Sequence, residues 1–202
     1  GLIEAFDGAE TPRERVGSAP GGATSLLSAT VRAIISRTMP SAHELDASIR
    51  PLRRSEYDKL IDEGFFEGEP IELLWGCLVR MGPQKSRHAA AVQYLTELFV
   101  LAVVPSKRAT VRIQSPFAAT DDSEPEPDVA VVPVGTYRDA HPSEALLVVE
   151  VAERSLRADR AKAALYAAAG VPEYWIVNLT NDTVEVHRDP VPKDHRYAHV
   201  TT

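Results

Sequence analysis

The chain has 202 residues, 44% apolar and 25% charged, which is material for one domain with a genuine core. Its single cysteine, Cys77, excludes an internal disulfide framework and fits a reducing cytoplasm. A formal net charge of −7 excludes a basic surface over the whole molecule, so any grip on nucleic-acid phosphate has to be local.

Residues 1–48 read differently from the rest. GSAPGGATS, from Gly17, has loop or linker composition, and LLSATVRAII, from Leu26, lacks the basic start and small-residue cleavage site of a secretory signal. MPSAHEL, from Met39, looks like an ordinary start. The expectation is a flexible or extraneous segment over 1–48, residues 1–38 being an upstream extension, followed by one domain over 49–202. No apolar run approaches the roughly 20 residues of a membrane helix. The longest candidate, YLTELFVLAVV from Tyr94, reads as part of a buried helix, and no membrane partner is expected.

SEYDKLIDEG, from Ser55, predicts a helix capped by Ser55 and stopped at Gly64. IELLWGCLVRM, from Ile71, predicts two short strands about Gly76. SRHAAAVQYLTELFVLAVV, from Ser86, predicts a helix with Val92, Leu95, Leu98, Phe99 and Ala102 on one face. Strands follow in ATVRIQ (from Ala109), DVAVV (from Asp128) and ALLVVEVA (from Ala145). LRADRAKAALYAAAG, from Leu156, is an alanine-rich helix stopped by Gly170. EYWIVN and TVEVHR are β-rich runs joined by LTND in a hairpin. From Ser86 to Asn178 the order is thus helix, three strands, helix, strand. That order, with apolar central strands, predicts an α/β fold with a central mixed sheet flanked by helices.

Two carboxylates interrupt this apolar pattern. Asp128 opens its strand after Pro127, and Glu150 lies near the end of the next. An antiparallel register matching Val132 with Leu146 places Asp128 opposite Glu150, on one face, with Cβ atoms ~5 Å apart. Each alone is compatible with a structural role, in a turn or a salt bridge to arginine. Facing one another in an apolar setting, they need a shared proton, a basic partner or a bound cation. Mg²⁺ takes one or two carboxylates, keeps several waters and leaves room for phosphate.

Phosphodiester hydrolysis also calls for a cation near the phosphate, and position 152, an alanine, cannot supply it. Lys162 is the one lysine between Lys107 and Lys193. With Leu165, Tyr166 and Ala169 it forms a single helical stripe expected to face the sheet. Two readings stay open: a solvated stem paired with Asp159, or an ammonium delivered to the carboxylates from the helix.

EPEPDVAVV, LLVVEVAERSLRADRAKAALYAAAGVPEYWIVN and EYDKLIDEGFFEGEPIELLWGCLVRMGPQKSRH closely resemble the Uma-two endonuclease family, whose restriction-endonuclease-like core carries the PD-(D/E)XK signature. The resemblance runs from about Leu52 to Asp189, with several motifs in the right order. It implies the helix, three strands, helix, strand core. It implies Asp128 and Glu150 as metal ligands, with Val151 counted beside them, and Lys162 as the signature lysine moved onto the helix. It adds Glu72 as an acidic site residue. The implied cofactor is Mg²⁺, with Mn²⁺ able to replace it, and the implied partners are DNA and a second copy of the chain. Cys77 stands where the family has a second glutamate and Trp75 where it has an aspartate. Asp159 precedes Lys162 by three residues where the family spacing is four, and the usual C-terminal strand region is largely missing.

Basic groups for phosphate could come from Arg50, Arg53 and Arg54, from Arg80, Lys85, Arg87 and His88, or from Arg154, Arg157 and Arg160. His88 could touch phosphate or be a surface residue; His187, His195 and His199 fall in an uninformative tail. Three functions remain open: a Mg²⁺-dependent DNA endonuclease, a catalytically inactive nucleic-acid-binding or dimerisation module of the same fold, and a hydrolase using the paired carboxylates on a glycoside.

Overall fold

A computed structural model describes residues 50–202, so the expectations for residues 1–48 lie outside the described residues. In chain order the elements are α1 (Arg54–Asp62), β1 (Ile71–Leu74), β2 (Cys77–Arg80), α2 (Ser86–Val103), a 3-10 turn (Val104–Ser106), β3 (Ala109–Ile113), β4 (Val129–Pro133), β5 (Leu147–Ala152), α3 (Leu156–Ala168), β6 (Glu173–Asn178), β7 (Thr183–Val191), a second 3-10 turn (Pro192–Asp194) and β8 (Arg196–Thr201). The expected succession from Ser86 is α2, β3, β4, β5, α3, β6.

Six strands form one sheet in the order β3-β4-β5-β6-β7-β8. Every neighbouring pair is antiparallel except β5–β6, which is parallel. A parallel neighbour needs a crossover, and α3 provides it. Side chains alternate across the strands. Val129, Val131, Val149 and Val151 pack with Val92 and Phe99 of α2, whereas Ala130, Val132, Val148 and Ala152 pack with Leu165 and Tyr166 of α3. Both faces are therefore covered, which is why β4 and β5 read as unbroken apolar runs.

Strands β4 and β5 pair Val129 with Val149, Ala130 with Val148 and Val131 with Leu147. This is the register expected from matching the apolar runs, and its continuation sets Asp128 against Glu150. The β1–β2 hairpin turns at Trp75 and Gly76, with φ of 51° and 73°. A Cβ on Gly76 would lie 2.3 Å from the Pro51 Cβ, so glycine is required for space as well as for backbone sign. Leu73 bridges to Glu124, anchoring the hairpin beside the loop that leads into β4.

Four expectations are corrected. The α1 N-cap is Arg53, not Ser55; the Glu56 carboxylate accepts the Arg53 N–H at 2.9 Å and closes the first turn. The α2 helix is not buried. Its sheet-facing stripe is Val92, Leu95, Phe99 and Val103, while Leu98 is 44% and Leu101 77% exposed, because the sheet receives only one edge of the helix. With the turn after it, this helix spans Ser86–Ser106 at mean hydropathy 1.5, long and apolar enough to cross a membrane by length and composition alone. The C-terminal tail is ordered into β7 and the edge strand β8, and His187 within it is buried.

Candidate active site

Asp128 and Glu150 share parity with Ala130, Val132, Val148 and Ala152, so both point to the α3 face of the sheet. They are 8% and 5% exposed. The Asp128 N–H donates to Glu150 Oε2 at 3.4 Å, and the Val151 N–H donates to Asp128 Oδ2 at 2.8 Å. Val151 turns its side chain to the α2 face, so only its backbone could serve an ion.

The α3 stripe turns as its spacing predicts, with Leu165 and Tyr166 fully buried. One turn earlier, Lys162 Nζ donates to Glu150 Oε1 at 3.1 Å and to Glu72 Oε2 at 2.9 Å. Glu72 reaches this point from β1, is 4% exposed, and also accepts the Glu126 N–H at 3.2 Å. The surface pairing of Lys162 with Asp159 does not occur. Asp159 is 5% exposed and takes a hydrogen bond from the Ser155 hydroxyl at 2.6 Å.

Electrostatics follow from this enclosure. Burial lifts the Glu150 carboxyl from the usual 4.5 to about 8, outweighing the lowering by Lys162, and Asp128 adds to the rise. Burial opposes the Lys162 charge, yet Glu150 and Glu72 beside it leave its pKa raised. Burial and Glu150 hold the Tyr166 hydroxyl well above its ordinary value, so it is a donor, at 2.9 Å from Glu150 Oε1. Two carboxylates, Glu72 and Glu150, thus hold one ammonium, and Asp128 opposes Glu150 beside them; these three carry an excess of two negative charges over Lys162 when all are ionised.

The centre opens into a cleft of about 680 Å³ lined by Glu72, Asp128, Glu150 and Lys162 on its floor and by Arg80, Lys85 and Arg154 among its other residues. Of these, Arg80 also lies 3.7 Å from Glu69, and four of the other arginine candidates are paired elsewhere. Arg50 pairs with Glu56, Arg54 with Asp58, Arg87 with Asp182 and Arg160 with Glu185. Among the described residues, no three His, Cys, Asp or Glu side chains converge as a metal cage. The donor set still fits Mg²⁺, which needs only one or two hard carboxylate ligands and otherwise keeps water. Asp128 and Glu150 are such oxygens, and the excess charge is what a divalent ion offsets.

Sequence reasoning opposed Asp128 to Glu150 and offered Lys162 to them, and the fold brings these three together with Glu72, which only the resemblance had named. It missed two groups that touch Asp128: His88 Nε2 lies 3.1 Å from Oδ2, and Gln114 Nε2 donates to Oδ1 at 3.3 Å. The stripe reading put Tyr166 against the sheet without giving it a polar partner there. Nothing in their spacing marks His88 or Gln114; their roles depend on where α2 and the end of β3 meet. Cys77 and Trp75, where the chain departs from the family pattern, are not among the cleft's lining residues; Trp75 stacks on His195 at 5.2 Å.

A mixed sheet flanked by helices on both faces, with opposed carboxylates on one of them, is a restriction-endonuclease-like arrangement, here with the lysine brought by a helix. The chain belongs to the Uma2 family, described as "Putative restriction endonuclease", whose profile matches residues 54–202. The match extends through β7 and β8, beyond the limit expected near Asp189. Among solved structures, a "putative nuclease belonging to DUF820 from Anabaena variabilis ATCC 29413" is similar at a TM-score of 0.58 and 16% identity, covering 69% of this chain and 80% of that one. That likeness is one of fold. No curated protein matches the chain.

Proposed function

We propose that the protein is a Mg²⁺-dependent endonuclease, able to use Mn²⁺, that hydrolyses phosphodiester bonds of DNA. The observation that carries this reading is Lys162, a buried ammonium 3.1 Å from Glu150 and 2.9 Å from Glu72, on the face where Asp128 opposes Glu150. Asp128 and Glu150, with the Val151 backbone beside them, would hold the ion. When bound, the ion supplies positive charge to the scissile phosphate and the attacking water. Lys162, fixed by two carboxylates, places a cation where negative charge develops on the phosphate. Glu72 holds that ammonium in place from the hairpin side. Arg80, Lys85 and Arg154 give the cleft the local basic groups that the net charge of −7 denies the surface as a whole.

Titration with Mg²⁺ and Mn²⁺ by calorimetry, alongside cleavage of plasmid and single-stranded DNA, tests the proposal. Asp128→Asn and Glu150→Gln should each remove most divalent-ion affinity and cleavage. If both bind the ion as the unaltered protein does, the site is misplaced. The acidic net charge weighs against a phosphate-gripping surface; a second reading, an inactive binding or dimerisation module, predicts no divalent-ion binding and no cleavage in either metal. Tight metal binding also argues against the glycoside reading.

One such centre cuts one strand, so duplex cleavage calls for a two-fold homodimer. Light scattering showing only monomer across the micromolar range removes that part. The proposed setting is the cytoplasm, without a membrane, since Val92 and Phe99 of the apolar α2 helix already pack on the sheet.

A further inference from the structure

We propose that His88 and Gln114 are positioning residues that clamp the Asp128 carboxylate from its two oxygens and leave about one acceptor site on it for a divalent cation. The inference rests on the nuclease reading but concerns residues that neither the motif nor the family match assigns.

An ionised carboxylate offers about four lone-pair sites. At Asp128 three are met by protein donors. The Val151 N–H and His88 Nε2 lie 2.8 Å and 3.1 Å from Oδ2, and Gln114 Nε2 lies 3.3 Å from Oδ1. Asp128 offers only acceptors here, so His88 Nε2 carries the hydrogen. The three donors come from β5, α2 and the end of β3, so the carboxylate plane is fixed from three directions.

Neither side chain is where stability alone would put it. Gln114 has φ of 45°, a left-handed conformation that a non-glycine residue adopts at a cost. That kink follows directly on β3 and turns its side chain toward Asp128, while the Gln114 N–H donates to the Asp128 carbonyl at 3.2 Å. His88 has its Nδ1 buried without a hydrogen-bond partner. A buried polar atom left unmatched is unfavourable, and among the described residues the one polar contact of the His88 side chain is with Asp128. Groups beyond the metal ligands that orient them commonly change metal affinity or activity 10- to 100-fold.

The experiment measures Mn²⁺ affinity by calorimetry for the full chain and for His88→Leu, His88→Gln and Gln114→Leu. Alongside, ¹⁵N NMR of the metal-free protein follows the His88 ring with and without Asp128→Asn. His88→Leu and Gln114→Leu should each weaken Mn²⁺ binding by about 10- to 100-fold. His88→Gln, which restores an N–H at similar reach, should recover most of it. The His88 Nε2 resonance should be that of a protonated nitrogen and should move in Asp128→Asn. If His88→Leu stays folded and binds Mn²⁺ like the parent, the clamp is wrong. It is equally wrong if His88→Gln is as weak as His88→Leu, since that assigns the ring a role other than donating. If His88→Leu fails to fold, Gln114→Leu carries the same comparison at the other oxygen. Should the unaltered protein bind no Mn²⁺, the nuclease reading fails, yet the NMR arm still decides the clamp: an Nε2 indifferent to Asp128→Asn overturns it.

Discussion

One short stretch, from Ser123 to Asp128, feeds two buried acidic centres that differ instructively. Asp128 enters the first, with Glu150, Glu72 and the deeply placed ammonium of Lys162 at 2.9 Å and 3.1 Å. Glu124 forms the second, 5% exposed, with Arg54 at 3.9 Å, His141 at 4.0 Å, and its Oε2 without a hydrogen bond. Burial raises the carboxyl in both, Glu150 to about 8 and Glu124 to about 7. Burial alone therefore does not single out an active site. The difference lies in geometry: the first centre has short contacts to an enclosed cation and opens into the cleft, whereas the second has long contacts to partly exposed partners and does not line it.

The most forceful way to break the comparison is to delete the buried cation. Lys162→Ala should reduce cleavage about 10²- to 10³-fold and leave metal binding largely in place. It should also destabilise the metal-free protein by about 3 kcal/mol, because removing one partner leaves buried charge uncompensated. Lys162→Arg should not restore cleavage, since a planar guanidinium does not reproduce a compact ammonium. Single-turnover cleavage and chemical denaturation read both effects. Near-neutral results in both would make Lys162 a bystander.

Next in size is a pH dependence. The folded Glu150 value, about 8, lies above the usual 4.5. Between those values the native protein keeps a proton that the unfolded chain has released. Stability of the metal-free protein should thus fall as pH rises through that window. Glu150→Gln should flatten the profile and raise the melting temperature near neutral pH. An unchanged slope in scanning calorimetry would refute the burial argument.

Glu124→Gln should do the same on a smaller scale and in a narrower window, from 4.5 to about 7, with no change in divalent-ion affinity. A loss of ion binding in this variant would erase the distinction between the centres. The smallest effect belongs to Arg54→Ala. Its side chain is 32% exposed, reaches Glu124 only at 3.9 Å, and otherwise pairs with Asp58 and donates to the Thr120 carbonyl at 3.2 Å, so the loss should be about 1 kcal/mol in denaturant titration.

Local periodicity in the sequence determined a large part of this protein. Alternating and three-to-four spacings order α2, β3, β4, β5, α3 and β6, Gly170 stops α3 at φ of 71°, and matching two apolar runs sets the β4–β5 register that opposes Asp128 and Glu150. The stripe of Lys162, Leu165 and Tyr166 was legible for the same reason, since helical phase is carried by neighbouring residues. Tertiary structure decided what lies at long range. It gave Lys162 the partner Glu72, 90 residues earlier, and brought His88 and Gln114 onto Asp128 across 40 and 14 residues. It also rotated α2 so that Leu98 and Ala102 face away from the sheet. Spacing along one helix says which side chains share a face, but which face is buried, and which charge meets which, depends on the width of the sheet and on where separate elements cross.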